Sequence, residues 1–126
     1  MGDTTFTNRE LDVMSILWQD GSGTVAEVRE KLPDQPGYTT VLKILQILEA
    51  KECVTHDQEG RAYRYRPVVH QAEAGSRALS RVLNKIFHGS VDLLIAQLVR
   101  ERDLSRDEVD RLKALVGELE AEEAQR

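Results

Sequence analysis

The residues of this chain best suited to act on another molecule are short polar side chains on one predicted helix and arginines on the strand beyond it. Residues 38–48 read YTTVLKILQIL. Setting Val41 at zero and advancing about 100° per residue gathers Val41, Ile44, Leu45 and Leu48 on one stripe. Thr39, Lys43 and Gln46 then stand on the opposite face, with Thr40, Leu42 and Ile47 on its flanks. Hydroxyl, amide and ammonium groups so placed can bond to base edges in a DNA major groove. A helix that only meets solvent would more often carry Glu and Lys there. From Gly60 to Pro67 the chain has Arg61, Arg64 and Arg66 and no acid, a local field suited to phosphate contact. Arg66 reads as structural or solvated.

Other chemistries find little support. The single cysteine, Cys53, excludes an internal disulfide and a thiolate cluster, reads as a buried strand thiol, and fits a reducing cytoplasm. His56, His70 and His88 lack ligand spacing such as i, i+4, so no metal site is expected. There is no glycine-rich phosphate loop and no nucleophile elbow, so neither an enzyme nor a cofactor is expected. No apolar run approaches the roughly 20 residues of a membrane span, and the N-terminus lacks a signal-peptide pattern. A cytoplasmic protein without membrane insertion is expected.

The charge balance opposes a DNA reader, since phosphate affinity comes from Lys and Arg. Net charge is −5, with 8 basic and 11 acidic side chains in residues 1–69, and 9 and 11 in residues 70–126. The distribution answers the objection locally: Gln35 to Leu48 holds Lys43 and no acid. Modest non-specific affinity and reliance on base contacts and shape follow.

These side chains need a scaffold. Thr7-Asn8-Arg9-Glu10, Thr24-Val25-Ala26-Glu27 and Ser105-Arg106-Asp107-Glu108 fit the capping box, each contributing about 1 kcal/mol to a helix start. Helices are predicted over about 8–19, 25–32 and 39–51. Gly21 and Gly23 end the first and Pro33 the second. Trp18 reads as core, fixing the first helix against the third. Strands are predicted over 53–57 and 61–67 around Gln58-Glu59-Gly60, with Tyr63 and Tyr65 packing on one face. Helix, break, helix and hairpin in that order predict a winged helix-turn-helix over residues 5–69.

Three further helices, about 71–87, 91–102 and 106–122, make residues 70–126 a helical domain. The acidic tail 118–126 reads as a solvated, fraying end. Their many apolar positions exceed what about fifty residues can cover alone, which points to a dimer. The expected fold is mainly α with a small β-wing, an N-terminal winged helix-turn-helix before a three-helix dimerisation domain. A homodimer would set two reading helices on a two-fold axis, matching a palindromic operator.

The stretches LDVMSILW (11–18), GTVAEVREKL (23–32), YTTVLKILQILEAK (38–51) and GRAYRYRP (60–67) resemble the penicillinase-repressor family, the BlaI/MecI type. The resemblance covers nearly the whole chain and implies a dimeric winged-helix transcriptional repressor of double-stranded DNA, in a family associated with β-lactam resistance genes. Carried over by position, it implies DNA contacts by Tyr38, Thr39, Thr40, Leu42 and Lys43, to which the helical wheel adds Gln46. It places Arg61 and Arg64 on phosphates at the wing. Leu42 can either touch a thymine methyl or pack beneath the first helix. In the family a membrane-bound sensor metalloprotease cuts the C-terminal domain at an Asn-Phe bond. Gln97 and Leu98 occupy those positions here and depart from it. Glu52 stands where members commonly place glycine, at a cost of about 1 kcal/mol if the backbone is left-handed. Two other readings stay open: a winged-helix protein–protein interaction module, which the acidic average fits, and a ligand-gated regulator of the MarR type.

Overall fold

A computed structural model describes residues 5–125. The protein is mostly helical with one small antiparallel sheet: α1 (Asn8–Asp20), β1 (Gly23–Thr24), α2 (Val25–Lys31), α3 (Tyr38–Ala50), β2 (Val54–Glu59), β3 (Ala62–Pro67), α4 (Gln71–Lys85), α5 (Val91–Arg102) and α6 (Arg106–Ala124). Its described residues divide into two compact units, 5–80 and 81–125.

The first unit starts its helices where the sequence marks them. Thr7 and Thr24 each accept the amide of the residue three positions on, and Glu10 and Glu27 reach back to the cap amides. Gly21, left-handed at φ 87°, ends α1. The core gathers Val13, Met14 and Leu17 of α1, Val25 and Val28 of α2, Val41, Leu45 and Leu48 of α3, and Tyr65 of β3. Trp18 is partly buried at its edge, and its indole N–H donates to the Val69 carbonyl at 2.8 Å, tying α1 to the segment after β3.

The sheet departs from the sequence-based expectation in two respects. β1 went unrecognised: Gly23 and Thr24 pair with Tyr65 and Arg64, giving the order β1-β3-β2. Two residues carry no alternation to read, and their pairing is a backbone matter. Gly23 is buried, and a Cβ there would lie 3.0 Å from Val28 Cγ2 and 3.4 Å from Leu17 Cδ2. The β2–β3 hairpin is also longer than expected. Glu59 pairs with Ala62, so Gly60 and Arg61 form a two-residue turn and Arg61 sits at its tip rather than inside the strand. Gly60 has φ 63° at the first central position, as in type II′ turns.

α3 ends in a Schellman arrangement. The Cys53 amide donates to Leu48 O and the Glu52 amide to Glu49 O, with Glu52 left-handed at φ 64°. The second unit comprises the end of α4 with α5 and α6; Ser105 and Glu108 form the capping box of α6. No residue of α4, α5 or α6 is buried.

Candidate nucleic-acid interface

α3 buries one face and offers the other. Val41, Leu45 and Leu48 are fully buried, while Thr39, Thr40, Lys43 and Gln46 are exposed. Among the described residues none of those four side chains forms a hydrogen bond or ion pair. Tyr38 is half-exposed at the start of the helix. Leu42 is partly buried and packs against the core, so its side chain is shared between core and surface. Ile47, placed on the flank by the helical wheel, is 41% exposed.

The entry to α3 is held from two sides. Arg9 of α1 pairs with Asp34 in the α2–α3 connection, and Arg29 Nε of α2 donates to Pro36 O at 2.6 Å. The Asp34 contact raises the Arg9 guanidinium above its ordinary value, and Arg9 lowers the Asp34 carboxyl below its own. At the far end His56 Nδ1 lies 2.7 Å from Glu49 Oε2, and its ring packs 4.6 Å from Tyr63 and 5.4 Å from Tyr65. These contacts tie the hairpin to the last turn of α3. Tyr65 is buried and Tyr63 half-exposed, so only the first packs as a core residue.

Glu10 is the one buried charged residue of this unit among those described. Burial pushes its carboxyl up, but hydrogen bonds from the Thr7 amide and Lys51 outweigh that and leave it below its ordinary value. Lys51 Nζ stands 2.9 Å from both carboxylate oxygens, joining α1 to the residue that caps α3. Burial raises the Cys53 thiol, which leaves it protonated and unreactive.

The wing arginines differ in surroundings. Arg61 is exposed at the turn and has no ion pair among the described residues. Arg66 pairs with Asp57 across the hairpin at 2.7 Å. Arg64 lies between two carboxylates: Nη1 and Nη2 donate to Glu27 at 2.9 and 3.1 Å, and Nε and Nη2 to Glu59 at 3.0 and 2.9 Å. A further bond runs from Nη1 to Ser22 Oγ at 3.3 Å. The Arg64 hydrogen bonds hold the Glu27 and Glu59 carboxyls below their ordinary values, and the two acids raise the guanidinium. The field that is acid-free along the chain is therefore not acid-free in space. Glu27 is legible in the sequence as a cap; its second partner, 37 residues on, is not.

In the second unit, Gln97 and Leu98 lie midway along α5. The Gln97 amide donates to Glu101 at 3.0 Å, and Leu98 is 44% exposed. No group of His, Cys, Asp and Glu suited to a metal ion occurs among the described residues. No described helix is long and apolar enough to cross a membrane.

Known proteins share both the sequence pattern and the fold. The transcriptional regulator BlaI of Mycobacterium tuberculosis (strain H37Rv) is 32% identical over 122 residues, 94% of this chain and 87% of that protein. The penicillinase repressor of Bacillus licheniformis is 24% identical over 114 residues, 89% of each chain. The methicillin resistance regulatory protein MecI of Staphylococcus aureus (strain N315) is 20% identical over 113 residues, 88% of this chain and 92% of that one. Among solved structures, the DNA-binding domain of the repressor BlaI superposes with a TM-score of 0.51 at 26% identity, covering 57% of this chain and 90% of that chain. A MarR family protein from Bacillus stearothermophilus, at 18% identity and TM-score 0.53 over 96% of this chain and 77% of that chain, shares the fold. The sequence model described as "Penicillinase repressor" matches residues 6–118, and on that span the chain belongs to the penicillinase repressor family.

Proposed function

We propose that this protein is a cytoplasmic transcriptional repressor, not an enzyme, that binds a palindromic DNA operator as a homodimer through residues 5–69. The observation that carries the reading is the outward face of α3, where Thr39, Lys43 and Gln46 are exposed and uncommitted opposite the buried Val41, Leu45 and Leu48. Thr39, Thr40 and Gln46 bond to base edges, Lys43 takes a guanine edge or a phosphate, and Tyr38 and Leu42 flank them. Arg61 holds a phosphate beside the groove.

Residues 70–126 serve as the dimerisation domain. Leu93, Ile95, Leu112, Leu115, Val116 and Leu119 are each between 42 and 55% exposed in one protomer, and a second copy covers them. By family likeness the controlled genes are of the β-lactam-resistance type and a membrane sensor metalloprotease relieves repression by cutting the C-terminal domain, where Gln97-Leu98 replaces the family's Asn-Phe bond. The Gln97-Leu98 bond lies inside α5, so a cut there requires the helix to open locally.

The test is a fluorescence anisotropy titration of the full chain on a duplex from its own promoter and on random DNA, at one fixed salt concentration. Preference for the promoter duplex, reduced by about 1 kcal/mol or more in Lys43→Ala, supports the reading. Equal binding to both duplexes, or none, rejects it and favours a protein–protein interaction module.

A further inference from the structure

Arginine has five N–H donors, and in Arg64 all five are spent. Nε donates to Glu59; Nη1 to Glu27 and Ser22; Nη2 to Glu27 and Glu59. The bonds join three elements. Arg64 belongs to β3 and pairs through its backbone with Thr24 of β1, the cap of α2. Glu27 is the acid of that capping box and also accepts the Thr24 amide at 3.2 Å. Glu59 is the last residue of β2, directly before the Gly60-Arg61 turn. One cation between two carboxylates leaves the cluster with one net negative charge, which repels phosphate. Arg61, at the tip, keeps its charge unopposed.

We infer that Arg64 is a positioning residue rather than a phosphate ligand: it staples the base of the wing to the start of α2 and so holds Arg61 at the DNA backbone. The inference rests on the DNA-reading function proposed above and reassigns one residue within it. A guanidinium is required because two carboxylates must be gripped by planar forks, which an ammonium cannot do.

The test measures binding of the full chain to a duplex it has selected from a randomised pool, as a function of salt. The slope of log affinity against log salt falls by about one when one phosphate contact is lost. In the proposed dimer a substitution removes the contact from both protomers, so Arg61→Ala, Arg64→Ala and Arg64→Lys should each lose about two units, and the double variant Arg61→Ala/Arg64→Ala no more than that. Thermal melts confirm that each variant is folded. Glu27→Gln provides a second route, because glutamine still satisfies the capping box. It makes the protein less negative, yet it should weaken binding by loosening the staple. A double variant that loses about four units overturns the inference, since Arg64 then holds its own phosphate in each protomer. It is equally overturned if Arg64→Lys binds like the parent, if Arg64→Ala leaves the slope unchanged, or if Glu27→Gln binds as tightly as the parent or more so. A parent chain that selects no duplex defeats the function itself and this role with it; a parent that binds while the variants fail the pattern defeats this role alone.

Discussion

Glu52 shows how a single side chain can work against its own backbone. At φ 64° it occupies the left-handed position of the turn that ends α3, a conformation costly to any residue with a Cβ. Glu52→Gly should raise stability by about 1 kcal/mol in urea unfolding while operator affinity stays unchanged. Glu10 has the opposite character. Its carboxyl is held below its ordinary value in the folded state, so its contribution is present above the unfolded value of about 4.3 and is lost as pH falls through the folded value. Urea midpoints measured between about pH 3 and 7 should fall on the acid side in the parent and fall less steeply in Glu10→Gln. That variant should also be less stable near neutrality, because Lys51 loses its charged partner.

The elements of the first unit depend on contacts of unequal visibility. Capping boxes at Thr7 and Thr24, like that at Ser105 in the second unit, are local, three residues from end to end, and the sequence displays each of them. β1 depends instead on close approach. Gly23 lies against Val28, which is fully buried and cannot readily move aside. Gly23→Ala should therefore destabilise the unit by about 1–3 kcal/mol, as overpacking does. Because β1 flanks the strand that carries Arg64, the same variant should weaken operator binding beyond what its lowered melting temperature explains.

For the whole molecule the decisive fact is the uncovered apolar surface of the C-terminal helices. Val116 is 55% and Leu119 50% exposed on α6, one turn apart. Fully burying such side chains is worth about 1.5–3 kcal/mol each. In the proposed dimer Val116→Glu/Leu119→Glu should sediment as a monomer and lose operator affinity, with the first unit still folded by circular dichroism. The melting temperature of the parent should rise with protein concentration, as expected when association and folding are linked. A parent that sediments as a monomer at all concentrations, with a constant melting temperature, rejects the dimer.

The sequence by itself determined the helix starts, the break after Leu32, the buried stripe of α3 and the exposed polar face behind it. Each of those depends on neighbours within about a turn, and spacing along the chain reproduces spacing in the helix. The winged helix was legible for the same reason. Only the tertiary structure decided that Gly23 and Thr24 form a third strand, that Arg61 is the tip of the wing, and that Arg64 is enclosed by Glu27 and Glu59. Strand pairing and ion pairing act through space. A window of sequence that holds three arginines and no acid carries no record of the carboxylates that folding brings beside them.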